Sequence, residues 1–230
     1  MCSKFIANCL RSASALAALL VPIAATAEIL NEDQLPLHDA HANHAESHIG
    51  VANGQAIRPA YARTLGDYAA PAVSLVNSLG EDIEFSELLA EDRPVLMQFI
   101  FTSCATICPL LTATFAHAQK QLTSAHDGYQ MISISIDPEY DTPKRLADYA
   151  KRNSAGGNWT FLTGAKADVR KVLRAFDVIY AGDNKMYHQP YTFLRPRAGL
   201  PWIKVDGFLT ARELVQEYRT ALQSADVGLN

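Results

Sequence analysis

The sequence predicts an α/β domain: a central mixed, mostly parallel sheet flanked by helices, with a β-hairpin at its N-terminal end. Three observations predict it. Hydrophobic residues make up 49% of the 230 residues and charged residues 19%, enough apolar material for a sizeable core. Two continuous apolar runs, Val95–Phe101 and Tyr129–Ile136, have strand length and suit strands buried on both faces. Helical patterns alternate with these runs, and strand–helix alternation brings parallel strands side by side.

In chain order, Ala72–Asn77 is an apolar strand. Ser78–Glu81 is a turn around Gly80, and Asp82–Phe85 returns as a short strand, which completes the hairpin. Ser86 is placed to cap a short helix. After Val95–Phe101 a loop at Cys104 leads into a helix that reaches Leu122, with Pro109 in its first turn. Asp141-Thr142-Pro143 opens the next helix, with Asp141 as the expected cap, and that helix runs to Arg152. Trp159–Leu162 is a short strand and Ala165–Phe176 an amphipathic helix. Pro190–Arg195 and Trp202–Asp206 form an antiparallel pair joined by Pro196–Pro201. Thr210–Leu222 is the last helix, with Thr210 and Glu213 spaced as a capping box. No internal repeat interrupts the stretch from Tyr61 to Asn230, which reads as one domain.

The first 27 residues are of another kind. Lys4 and Arg11 precede a small, apolar run from Ser12 to Ala25, and Ala25-Thr26-Ala27 fits a cleavage site. This is the composition of a secretory signal peptide. Pro22 interrupts the run, which is shorter than the ~20 apolar residues of a spanning helix. An uncleaved segment would instead act as a membrane anchor. Cleavage removes two basic and no acidic residues, which takes 20 Lys+Arg to 18 against 24 Asp+Glu and the net charge from −4 to −6. No basic surplus points to nucleic acid. The chain is therefore expected in the periplasm. Residues 28–60 lack a hydrophobic period and read as a flexible leader. His38, His41, His44 and His48 recur there at spacings of three, three and four, an accessory cluster suited to Cu(II), Zn(II) or Ni(II) if the stretch turns helical.

Cleavage also leaves only Cys104 and Cys108. A lone cysteine pair in an oxidising compartment is a disulfide, a redox couple or a metal site. The spacing C-x-x-x-C at a strand-to-helix turn sets two thiols one helical turn apart. Amides at a helix start stabilise thiolates there. C-x-x-C would favour redox chemistry, whereas the additional residue opens the pair and leaves room for a soft metal. Two thiolates alone are an incomplete set for Cu(II), and a neutral imidazole is the natural third ligand. His117 and His126 have no motif around them. Met97 and Met131 sit in apolar strands and Trp159 and Trp202 in strand patterns, so all four are expected in the core.

In order along the chain stand FTSCATICP, SISIDPEYDTPKRLADYAKR, WTFLTG and a single His ahead of an apolar strand. From about Ala70 onward this set resembles the Sco/SenC family. Members are exported, thioredoxin-fold copper proteins associated with assembly of the binuclear copper site of cytochrome c oxidase. The resemblance implies copper, Cu(I) or Cu(II), held by Cys104, Cys108 and His188, with Asp137 near the site, orienting a ligand or screening the ion. It implies an oxidase subunit or similar exported copper enzyme as client. A thiol–disulfide oxidoreductase working through Cys104 and Cys108 is the alternative; no Thr/Arg constellation supports a peroxidase. The chain departs from the family at Ala105, where proline is usual. It departs again around His188, where Asp or Val-Asp usually precedes and small hydroxyl residues follow. Pro190 is similar in position to the cis-proline of thioredoxins, and the Gln189–Pro190 peptide is expected to be cis.

Overall fold

The structure, a computed structural model, describes residues 50–52, 55–57, 61–123, 128–180 and 184–227. The expected signal peptide, most of the expected leader with His38, His41, His44 and His48, and also His126 lie outside the described residues. Within the expected leader, β1 (Gly50–Ala52) and β2 (Gln55–Ile57) pair antiparallel as a two-stranded ribbon.

An eight-stranded sheet carries the rest. Its strands are β3 (Tyr61–Gly66), β4 (Ser74–Asn77), β5 (Asp82–Glu84), β6 (Val95–Ile100), β7 (Gln130–Ser135), β8 (Trp159–Thr163), β9 (Tyr191–Arg195) and β10 (Trp202–Gly207). They lie in the order β3-β10-β9-β6-β7-β8-β4-β5. The helices are α1 (Phe85–Ala90), α2 (Ile107–Thr123), α3 (Pro143–Arg152), α4 (Lys166–Ala175) and α5 (Ala211–Val227). The expected mixed α/β sheet is present, but its parallel part is narrower than the alternation suggested. Only β6, β7 and β8 run parallel, joined through α2 and α3. Every other neighbour pairs antiparallel. After α4 the chain returns on the far side of β6 rather than beyond β8, and the hairpin β9–β10 then reverses direction.

Alternation along buried β6 and its neighbours builds a core on each face. On one face Phe99, Phe176, Phe193 and Trp202 meet edge-on or tilted, with Phe176 5.4 Å from Phe193 and 5.3 Å from Trp202. On the other, Gln98 donates to Ser133 Oγ at 2.9 Å, as does Trp159 Nε1, and Phe115 of α2 packs on Trp159. Tyr149 of α3 joins this face through Phe161 and through Thr112 of α2. Met97, Met131, Trp159 and Trp202 are buried in the core as expected.

The hairpin β4–β5 closes through Asn77, whose side-chain oxygen accepts from Leu79 N and Glu81 N. Gly80 there has φ +87°, a conformation side-chain-bearing residues resist. Thr210 and Glu213 form the expected capping box, with reciprocal bonds of 2.7 and 3.3 Å. Three expectations fail. Helix α1 starts at Phe85 with Glu84 before it, so Ser86 lies in the first turn and is not the cap. Thr142, not Asp141, caps α3, its hydroxyl accepting from Arg145 N. The Gln189–Pro190 peptide is trans, since the described residues contain no cis bond. Trans is the lower-energy isomer of an X–Pro bond, and Pro190 is fixed by its carbonyl, which accepts Gly207 N–H at 3.3 Å.

Candidate metal centre

The C-terminal ends of the parallel strands carry the site. β6 ends at Ile100, and Phe101–Thr106 form the loop that turns into α2. The turn is tied by Cys104 N–H donating to Phe101 O at 3.1 Å. Both thiols are unbridged. Cys108, inside the first turn of α2, is fully buried, whereas Cys104 keeps 8% exposure.

The two sulfurs differ electrostatically. Burial by itself would raise the Cys104 thiol. The N–H of Cys108, 3.4 Å from Cys104 Sγ, and the amide and hydroxyl of Thr106 outweigh it, so the Cys104 pKa falls below the ordinary thiol value. Burial pushes the Cys108 thiol far up, and neighbouring Cys104 and Asp141 add to the rise. The sequence suggested two thiolates favoured by the helix start. Cys104 faces the helix-start amides, whereas at Cys108 the backbone hydrogen bond from Phe101 is outweighed by burial.

Asp141 is the site residue that sequence reasoning missed. Its carboxylate is wholly buried and accepts from Thr102 N at 3.1 Å, from the Thr102 hydroxyl and from Ser135 Oγ at 2.6 Å. It thus pins the cysteine loop, two residues ahead of Cys104, to the end of β7. Asp next to Thr-Pro resembled a helix cap. Only the fold reveals three donors from two other segments.

Asp137, from the β7–α3 loop, ion-pairs with Lys185 Nζ. Its carbonyl accepts from Tyr140 N and Asp141 N, which shapes the loop. Lys185 opens a 3-10 turn, Lys185–Tyr187, capped by the Asn184 side chain. His188 follows directly, its N–H bonded to Lys185 O at 3.2 Å. The ladder between β6 and β9 ends at Gln98–Thr192. The residues before Tyr191 therefore run on past the same strand end that leads into the cysteine loop.

His188 is not the surface-loop histidine that its position alone suggests. It is 3% exposed, and neither Nδ1 nor Nε2 has a hydrogen-bond partner. Burial pushes its pKa down to about 4, so the ring is neutral at pH 7 and offers lone pairs. A buried imidazole with two unpartnered nitrogens costs free energy unless something else occupies it. Two thiols and a neutral imidazole make a soft donor set that fits copper. The structure joins Cys104 with Cys108. It does not join His188 to them, since among the described residues no three His, Cys, Asp or Glu side chains stand close enough to share an ion. His117 lies exposed on α2. No described helix is long and apolar enough to cross a membrane.

A βαβαβ core followed by an antiparallel pair and a helix, with a cysteine pair where the first of those strands enters its helix, defines a thioredoxin-like protein. The SCO1/SenC family profile matches residues 64–223, and the chain belongs to that family. The SCO1 homolog of Bacillus subtilis is 33% identical over 134 residues, 56% of this chain and 68% of the relative. The human mitochondrial SCO1 homolog is 31% identical over 99 residues; the match covers 42% of this chain but only 32% of the human protein. Among solved structures, BsSco, described as a member of the Sco family of cytochrome c oxidase assembly proteins, superposes with TM-score 0.58 at 27% identity, covering 69% of this chain and 95% of that one. ScoI of Arabidopsis thaliana, solved with copper bound, gives TM-score 0.57 at 21% identity over 68% of this chain and 99% of that one.

Proposed function

We propose that this chain is an exported copper carrier. Cys104 and Cys108 would bind one copper ion through their sulfurs, and His188 would supply the third ligand. The carrier would deliver the ion to the copper site of a respiratory oxidase subunit, or of a similar exported enzyme, in the periplasm. One observation carries this function above the others: His188 is buried and neutral, with both ring nitrogens unpartnered, on the turn that flanks the cysteine loop. The copper-bound Arabidopsis structure supports the choice of ion. The description of BsSco as one of the cytochrome c oxidase assembly proteins supports the choice of client. Two thiolates suit Cu(I), and the added imidazole extends the set to Cu(II). No general acid or base is needed, because transfer proceeds by exchange of ligands. Asp137 acts one step back from the ion, through Lys185.

The test is copper stoichiometry and the visible spectrum of the reduced protein, prepared without oxygen, beside Cys104→Ser and His188→Ala. About one Cu(II) per chain with thiolate-to-copper charge-transfer bands, lost in both variants, is the expected result. Binding that survives both changes assigns the metal to His38, His41, His44 and His48 instead.

The unequal sulfurs favour a second activity, thiol–disulfide exchange. The Cys104 thiolate would attack a client disulfide, form a mixed disulfide and release one client thiolate. Cys108, once deprotonated, would attack the Cys104 sulfur, close the internal disulfide and release the second client thiolate. The client gains two electrons and this chain loses two, to be restored by an external dithiol. His188→Ala separates the two functions, because it spares this exchange.

A further inference from the structure

Lys185 sits where three parts of the site meet. Its Nζ pairs with the Asp137 carboxylate, just past the end of β7. The same ammonium lies 5.2 Å from the centre of the Phe101 ring, in the cysteine loop, and 5.8 Å from that of Tyr140, in the β7–α3 loop. Its backbone carbonyl holds the N–H of His188. The pair is partly shielded, with side-chain exposures of 34% for Lys185 and 15% for Asp137, which strengthens it relative to a surface pair. The flanking Met186 and Tyr187 project into solvent, at 57% and 63% exposure, and contribute no comparable anchor.

The turn therefore needs an explanation for holding His188 indoors. Two unpartnered ring nitrogens favour an imidazole that swings out to water. A single ammonium bound at once to a carboxylate and to two aromatic faces opposes that motion. We propose that Lys185 is a positioning residue: it clamps the His188-bearing turn to the cysteine loop through Asp137, Phe101 and Tyr140. The imidazole is then kept dry, on a turn held against the cysteine loop, before any ion arrives, so less ordering is left to be done on binding. This inference rests on His188 being a copper ligand.

The experiment compares the full chain with Lys185→Met, Lys185→Arg, Asp137→Asn and His188→Ala. In the metal-free protein, carbethoxylation of His188 is followed by peptide mass spectrometry. Lys185→Met and Asp137→Asn are expected to speed it severalfold, while Lys185→Arg, which keeps the charge and the ring contacts, restores the slow rate. Cu(II) affinity, measured against a competing chelator, is expected to fall about tenfold in Lys185→Met, the scale of one ion pair plus one cation–π contact. Cu(I) affinity, which the two sulfurs carry, is expected to stay within about twofold, an outcome that general loosening of the fold would not give. Equal Cu(II) affinity of the wild type and His188→Ala overturns the ligand assignment itself. Weaker binding by His188→Ala, with Lys185→Met equal to or tighter than wild type, leaves that assignment standing and overturns the clamp. Unchanged carbethoxylation in Lys185→Met overturns the clamp as well.

Discussion

Replacing Asp141 by asparagine changes almost no volume and should still damage the protein. Its carboxylate receives three hydrogen bonds, from the amide and hydroxyl of Thr102 and the hydroxyl of Ser135. All three neighbours are donors in this arrangement. A hydrogen bond to a charged acceptor contributes about 1.5–3 kcal/mol net, and a full carboxylate must first be stripped of water at a cost of several kcal/mol. The asparagine amide offers one acceptor oxygen and two donor hydrogens, so its NH2 end faces at least one donor, the fixed Thr102 N–H or a hydroxyl that must turn away. The expected loss is about 2–3 kcal/mol for Asp141→Asn and about 3–4 kcal/mol for Asp141→Ala, which leaves every donor orphaned. The assay is urea unfolding of the reduced protein, followed by tryptophan fluorescence, with slopes compared to confirm that only stability has moved. At roughly 2–4 °C per kcal/mol for a domain of this size, Tm should fall by about 5–10 °C for the asparagine variant. An asparagine variant within about 0.5 kcal/mol of wild type at equal slope would refute the donor-only description of this pocket.

Acid should act through His188. Burial holds its folded pKa at about 4 against an ordinary 6.5, so the unfolded chain takes up the proton first as pH falls. The associated stability is complete above about pH 7 and is lost between about 6.5 and 4, so wild type should lose about 2 kcal/mol more than His188→Gln between pH 7.5 and pH 5 in metal-free urea titrations. Parallel curves for the two proteins would mean that the imidazole is wet. The two cysteines should also separate under iodoacetamide at pH 7: Cys104, the sulfur with the lowered pKa, should alkylate at least about tenfold faster than Cys108 by mass spectrometry. Equal rates would contradict the assigned division of burial and hydrogen bonding.

The strands β6 and β7 were legible because continuous apolar runs of strand length have few other uses, and α5 because its capping box is local chemistry. Tyr61–Gly66 was not legible. As the edge strand β3 it alternates imperfectly and owes its state to pairing with β10, some 140 residues away. The direction of β9 was hidden for a similar reason, since periodicity reports burial and not which neighbour a strand takes. In the site, C-x-x-x-C marked the thiols, and their setting between strand and helix was correct. The inequality of Cys104 and Cys108 was not readable, because it depends on which amides point at which sulfur. Asp141 was misread and Lys185 passed over. Both act on segments distant in sequence, and single-chain spacing carries no trace of such partners.

An inner sulfur and an outer sulfur impose an order on traffic. Anything that arrives meets Cys104, which keeps a sliver of exposure, before it meets Cys108, sealed beneath. If the chain carries copper as proposed, the reverse path would retrace those steps, and a departing cargo ion would let go of Cys108 first and of Cys104 last. At handover the outer sulfur would be shared between giver and receiver, and the exchange would divide into two modest steps where one large one would stand. Such a receiver would not have to reach into the core. It would have only to bring its own ligand to the doorstep and wait for the inner bond to break.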